Sequence, residues 1–301
     1  MHISWRKRIS RTIRGNLCSF KLSGHGIGVA TQTKNGLLVV DPRDFGVSRS
    51  LLSRGSYDWT AISWLLRVLE RKSRMVFVGA HLGALLVPLA LRSGSRNIVA
   101  FEPNPPTHRL LEMNLALNGL TGVKLHRLAV GDSEGSIRFT QNRLNSGNSR
   151  VSQTGEVVVA MTTLDAALEG DSSRVDLVVM DTEGFEVRAL RGASRTLART
   201  RYLYVEYAPE QLVEQGSSSQ EFIEMVASQF ECMYLPGNPP RFFPSRTYVR
   251  HLSGLLARRG LLLNLLFTNE TSPEGALLMP PGLAGSGADT VFRYACPLIV
   301  V

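Results

Sequence analysis

The chain has 301 residues, 44% hydrophobic and 20% charged, an ordinary globular balance that fits one large domain or one domain with an extension. Its three cysteines, Cys18, Cys232 and Cys296, lie far apart without C-x-x-C spacing, which excludes a disulfide framework or zinc cluster and points to a reducing compartment. The net charge of +9 sits at the ends: residues 1–40 carry +7 and 238–301 carry +3, leaving −1 for the centre, so the charge steers toward anionic surfaces without defining the chemistry.

The first segment, "MHISWRKRISRTIRGNL", is basic but has no long apolar core, so it does not read as a secretory signal. Trp5, Ile9 and Ile13 recur at helical spacing among arginines. Residues 1–20 therefore permit a helix lying on an anionic membrane; a solvated basic arm is the competing reading. A cytoplasmic chain, free or membrane-peripheral, is expected.

"GLLVVD" (36–41) reads as a short strand, and "SYDWTAISWLLRVLERK" as an amphipathic helix with Trp59, Ile62, Leu65, Leu66 and Leu69 on one face. Strand 75–78 runs into "GAHLG" and a helix over 83–92. The apolar stretch 75–91 is broken by Gly79, His81, Gly83 and Pro88, so strand–loop–helix explains it better than a membrane span. Pro88 would kink that helix unless it starts late. Strand "NIVAFEP" and helix "THRLLEMNLALNG" follow, then "VKLHRLAV" and a strand pair around "EGSIRFT" and "EVVVAMTTLDAAL". Strand "DLVVMD", helix "EVRALRGASRTLAR", strand "YLYVEY" and helix "SSSQEFIEMVASQF" complete the alternation. Such alternation predicts an α/β fold with a doubly wound, mostly parallel sheet. The expected organisation is a basic arm over 1–40, a main domain over 41–235 and an extension over 236–301. The extension is Pro-, Gly- and Arg-punctuated, with "GALLMP" and "CPLIVV" as candidate edge strands.

In such sheets ligands bind beyond the carboxyl ends of the strands, where strand order reverses. Those ends carry Gly79–Gly83, Glu102, Asp181 and Glu206. The loop lacks the lysine of a Walker motif and the middle glycine of G-x-G-x-x-G. Phosphate cofactors are therefore disfavoured. Glu102, about twenty residues past the loop, stands where a carboxylate accepts hydrogen bonds from ribose hydroxyls.

Taken in order, "VGAHLG", "AFEPNP", "LAVGDSEGSIRF", "NSGNSRV", "TTLDAAL", "VVMDTEGFEVRALRGA" and "YVEYAPE" resemble the FkbM family of S-adenosylmethionine-dependent methyltransferases over roughly 41–235. The resemblance implies a class I (Rossmann-like) methyltransferase fold binding S-adenosylmethionine. Gly79, Ala80, His81 and Gly83 would run along its methionine and ribose parts. Glu102 would hold the ribose hydroxyls with Asn104 beside it, and Leu128 and Ala129 would lie by the adenine. The implied activity is O-methylation of a hydroxyl on a sugar, glycan, lipid-linked precursor or secondary metabolite. The chain departs from the family at Phe77, where an acid is usual, and at His81, where asparagine is usual. The Phe77 departure leaves a non-catalytic binding protein with weakened cofactor affinity as the alternative.

Methyl transfer to an alcohol needs in-line positioning and a base for the proton. Asp181 is the first candidate and Glu183 the second. Glu186 reads as a first-turn acid that suits a helix dipole, and Asp165 as a helix cap. No third oxygen ligand accompanies Asp181 and Glu206, so no metal site is expected. Nucleic acid is not an expected partner, because the centre is near neutral and lacks an N-P-P-[YF]-type motif.

Overall fold

The computed structural model describes residues 28–142, 149–152, 154–236, 240–255, 260–270 and 299–300. A hairpin, β1 (Val29–Thr33) and β2 (Gly36–Val40), leads to helices α1 (Val47–Arg54) and α2 (Trp59–Val68). Then come β3 (Met75–Val78), α3 (Leu86–Ser93), β4 (Ile98–Phe101), α4 (Pro105–Leu117) and β5 (Lys124–His126). A smaller group follows: β6 (Ala129–Val130), β7 (Gly135–Thr140), β8 (Arg150–Val151) and β9 (Val157–Thr162). Short helix α5 (Leu164–Ala167) precedes β10 (Val175–Met180), α6 (Glu186–Arg191), α7 (Ser194–Leu197) and β11 (Thr200–Tyr207). The remainder is α8 (Pro209–Glu214), α9 (Ser219–Gln229), β12 (Cys232–Leu235), β13 (Arg241–Phe243), α10 (Tyr248–Ser253), β14 (Leu263–Thr268) and β15 (Ile299–Val300).

Eight strands form the main sheet in the order β13-β12-β14-β11-β10-β3-β4-β5. The five from β5 to β11 are parallel, and β14 runs antiparallel between β11 and β12. The chain winds outward from β3 to β5, then returns to the other side of β3 for β10 and β11. The order therefore reverses between β3 and β10, which places a crevice at their carboxyl ends. All four residues of β3, "MVFV", are buried, as expected for a parallel strand covered on both faces.

Alternation along the strands sends Phe77, Val179 and Tyr204 into one core layer with Ile62 and Leu65 of α2. Val76, Val78, Met180 and Val205 enter the other, with Phe222 of α9. Ile62 is fully buried, and truncating such a side chain to alanine costs about 2–5 kcal/mol.

The sequence expectations need adjustment at both ends. The strand expected at 36–41 is β2, and residues 29–33 of the basic arm pair with it as β1 to form a hairpin, to which β15 adds through Val29 and Ala30. Within the extension, "LNLLFT", not among the expected edge strands, becomes β14 and lies inside the sheet between β11 and β12. "GALLMP" and residues 1–20 lie outside the described residues. Pro88 is accommodated because α3 starts at Leu86. It therefore sits in the first turn, where a helical N–H has no intrahelical partner.

Three asparagines dock the hairpin. Asn114 of α4 accepts from Val39 N at 2.6 Å and donates to the carbonyls of Val39 and Leu82, at 3.1 and 2.8 Å. Asn118 grips Leu37 in the same two-point way, at 3.2 and 2.7 Å. Asn35, at the hairpin turn, donates to the carbonyls of Tyr57 and Ala84, both at 2.8 Å, and accepts from Tyr57 N at 3.0 Å. A side-chain amide thus replaces a strand neighbour for backbone groups that would otherwise be buried unpaired. It also fixes Tyr57 and the segment after the glycine loop to one another.

Candidate functional site

A cleft with a cavity volume of about 130 Å³ lies over the carboxyl ends of β3, β4 and β10. Its floor is Gly79, Ala80 and His81 after β3, and Glu102 to Asn104 after β4. One wall is Leu128 to Val130, with Phe139, Ser149 and Val151 from the smaller sheet. The other end is Asp181 to Glu183, Phe185 and Tyr57.

The loop is built by backbone constraints. Asp181 N donates to Val78 O, and Gly79 N and Ala80 N donate to Phe101 O, at 2.9–3.0 Å. Gly79 has φ +81°, and a Cβ there would stand 1.8 Å from the carbonyl oxygen of Asp181. Only glycine allows the ends of β3 and β10 to meet this closely. Gly83 differs from expectation. At φ +91° its Cβ position meets Leu111 at 2.8 Å, so it lets α4 pack behind the loop, and it does not line the cleft. Each of the other expected residues, Gly79, Ala80, His81, Glu102, Asn104, Leu128, Ala129, Asp181 and Glu183, does line it.

Glu102 is 5% exposed. Its two carboxyl oxygens accept from His81 N at 2.8 Å and Asn104 N at 3.0 Å, leaving lone pairs on both. Burial pushes its carboxyl up to about 7, against the pull of those two amides. The side chain of Asn104 is used within the protein: it donates to Thr107 and accepts from Gln141. Through Gln141 it ties the smaller sheet to the cleft. His81, at φ 50°, has its imidazole pushed down by burial.

Phe77, where the resembled family has an acid, is buried in the core layer and lines the cleft. Its ring supplies apolar wall, and Glu102 and Asp181 remain on either side of it. Asp181 lines the cleft and is solvent-exposed there. The protein around it, with the charges of Glu186 and Asp58, still pushes its carboxyl up. Glu183, at φ 55°, accepts from Gln211 at 3.1 Å.

Glu186 does begin a helix, as expected, but its larger task is local. One oxygen accepts from Thr182 N, Thr182 Oγ1 and Gly184 N at 2.7, 2.9 and 3.3 Å, holding the turn that presents Asp181 and Glu183. Asp165 is a capping carboxylate, but of another helix. It accepts from the backbone of Arg195 and Thr196 in α7, while Thr163 caps α5.

Sequence reasoning did not find Tyr57 and Asp58. Asp58 adopts φ 41° at the start of α2 and accepts from Tyr204 OH at 3.1 Å. Its burial raises its carboxyl. Tyr57 and Tyr204 are likewise raised, by burial and by the surrounding carboxylates. The signal was an aspartate before a helix, which reads as a cap; here its partner lies 146 positions away.

Among the described residues, no lysine or arginine lines the cleft, whereas Glu102, Asp181 and Glu183 do. Such a cleft favours a ligand carrying positive charge over a polyanion. No cluster of three His, Cys, Asp or Glu side chains stands at metal-holding distance among the described residues. No described helix is long and apolar enough to cross a membrane.

A family model described as the methyltransferase FkbM domain matches residues 78–236. The hexuronic acid methyltransferase AglP of Haloferax volcanii is 29% identical over 155 residues, 51% of this chain and 62% of that protein. The 2-O-methyltransferase NoeI of Sinorhizobium fredii is 32% identical over 150 residues, 44% of this chain and 61% of that protein. This chain thus spans about three fifths of the length of the curated relatives it matches. Among solved structures, an FkbM methyltransferase from Methylobacillus flagellatus aligns with a TM-score of 0.43 at 15% identity, covering 73% of this chain and 53% of that one.

Proposed function

The chain belongs to the FkbM methyltransferase family, whose model spans more than half of it, and on that premise we propose that it transfers a methyl group from S-adenosylmethionine to a hydroxyl oxygen of a sugar or glycan. The fold is of the class I methyltransferase type. The observation that carries the reading is the charge of the cleft. A protein of net charge +9 keeps three carboxylates and, among the described residues, no lysine or arginine around its strand-end cleft. S-adenosylmethionine carries a sulfonium and an ammonium group and no phosphate, so it complements this lining.

The free lone pairs of Glu102 suit the two ribose hydroxyls, and the apolar wall at Leu128, Ala129 and Phe139 suits the adenine. When bound, the cofactor supplies an already activated methyl group. The chain then has to orient the acceptor in line and take its proton. Asp181 is the proposed base, with Glu183 beside it. A sugar acceptor is supported by the relative that is a hexuronic acid methyltransferase, and transfer to oxygen by the one that is a 2-O-methyltransferase.

Calorimetric titration with S-adenosylmethionine and S-adenosylhomocysteine tests the first half; no binding of either near millimolar concentration would sink it. A one-methyl mass shift in glycans made with the active protein, absent with Asp181→Asn, tests the second. Residues 1–20 lie outside the described residues; the proposal sets their basic face against an anionic membrane that presents the acceptor. Binding to anionic vesicles should then be lost on deleting 1–20, and unchanged binding dismisses that part.

A further inference from the structure

We propose that Glu206 is an un-ionised carboxyl group beside Asp181, donating a hydrogen bond at the acceptor end of the cleft so that Asp181 alone is charged to receive the acceptor's proton. This rests on the methyltransferase reading for its purpose, though its test does not. In the parallel pairing of β10 and β11, Met180 lies opposite Val205, so Asp181 and Glu206 emerge next to one another. Neighbouring strands lie about 4.8 Å apart. Strand alternation puts both side chains on the face that also carries Val179 and Tyr204.

Glu206 is 6% exposed, and its Oε2 has no hydrogen-bond partner within the protein. The groups facing this corner are acids and phenols. Asp181 ends β10, Glu183 and Glu186 follow in its turn, Tyr57 and Asp58 precede α2, and Tyr204 shares β11. From β14 the register partner of Glu206 is the uncharged Asn264. Among the described residues, no lysine or arginine lines the adjoining cleft.

Of two adjacent carboxylates that lack a cation, the one withdrawn from water, here Glu206, is the one that keeps a proton. Burial, and then the charges of Asp181, Glu183 and Glu186, push the Glu206 carboxyl far up. Asp181 is pushed up too, but it opens onto the cleft and Glu206 does not. The shared proton therefore belongs on Glu206.

Its donor hydrogen can hold the Asp181 carboxylate in place. In the transfer, the acceptor oxygen forms the new bond to the methyl carbon. The methyl–sulfur bond breaks with its electron pair left on sulfur, and the hydroxyl proton passes to the Asp181 carboxylate. Glu206 keeps its own proton throughout, which makes it a positioning residue.

The test is infrared spectroscopy of the full chain without ligand, at about pH 8.5, where Glu102 is ionised. The wild type should show a carboxylic-acid carbonyl band that is missing in Glu206→Gln. Labelling glutamate with carboxyl ¹³C should shift that band in the wild type, and the band should persist in Glu186→Gln, the other buried glutamate of this corner. Melting temperatures give a second readout. A carboxyl raised above its unfolded value of 4.5 contributes stability that is present below that pH and lost as pH rises toward the folded value. Glu206→Gln should therefore gain steadily on the wild type from about pH 5 to pH 9. An unchanged spectrum, or parallel melting curves, overturns the proposal. Neither result depends on whether S-adenosylmethionine binds.

Discussion

Replacing Glu102 by glutamine changes the cofactor end of the cleft while keeping the side chain's shape. The carboxylate satisfies His81 N and Asn104 N with separate oxygens. Glutamine keeps one of those bonds and turns a donor toward the other amide, leaving a buried N–H unsatisfied at a cost of about 1–3 kcal/mol. It also removes the charged acceptor offered to the ribose. A hydrogen bond to a charged group is worth about 1.5–3 kcal/mol, so the Kd for S-adenosylhomocysteine should rise roughly 10- to 150-fold by calorimetry at about pH 8. The carboxyl titrates at about 7 and its ionised form is the acceptor. Half is ionised at pH 7 and about one tenth at pH 6, so wild-type affinity should fall about fivefold over that unit. The glutamine variant should show no such slope. Equal affinity within about twofold in a well-folded variant, or a wild-type affinity flat from pH 8 to pH 6, would refute the assignment of Glu102 to the ribose.

Gly79→Ala should abolish S-adenosylhomocysteine binding and lower the melting temperature sharply, because its Cβ collides with Asp181 O. Gly55→Ala is the control: φ is similar at +70° but nothing lies within 4 Å, so only the conformational cost of about 1–2 kcal/mol should appear in urea unfolding. Glu186→Ala strips the acceptor from Thr182 and Gly184 and should cost about 3 kcal/mol or more. Glu186→Gln keeps that acceptor and should cost less than Glu186→Ala, with about 1–3 kcal/mol for the buried amide N–H groups that find no partner. Phe77→Asp, which restores the residue usual in the resembled family, should destabilise by about 3–5 kcal/mol by burying an unpaired charge. Its S-adenosylhomocysteine affinity should not rise, because Glu102 and Asp181 already line the same space.

What the sequence disclosed and what it withheld divide by the range of the interaction. Gly79, Glu102 and Asp181 were legible because each ends an apolar run, and a parallel sheet brings successive strand ends to one edge. Gly83 falls outside the cleft lining for the complementary reason. A glycine loop announces close approach but not which neighbour approaches, and here the neighbour is Leu111 rather than a ligand. The strand inside the extension was missed because "LNLLFT" follows a Pro-, Gly- and Arg-rich stretch. Only pairing with Tyr202 to Tyr207, some sixty residues earlier, makes it an interior strand.

The acceptor end was the least legible part, and its chemistry explains why. Asp58 and Tyr204 lie 146 residues apart and meet because α2 covers the sheet face that carries Tyr204. Asn35 then fixes the neighbouring Tyr57 against the loop after β3. None of these residues forms a spaced motif, and an isolated buried carboxyl looks like composition until its neighbours are known. Register supplies that knowledge. Once Met180 is paired with Val205, Asp181 and Glu206 must emerge side by side, and desolvation without a cation decides that one of them keeps its proton. The lack of a cationic neighbour in the cleft, which favours a sulfonium cofactor at the Glu102 end, is thus the same feature that sets the protonation of the Glu206 end. A lysine or arginine introduced near Tyr57 should therefore ionise Glu206 and weaken cofactor binding together.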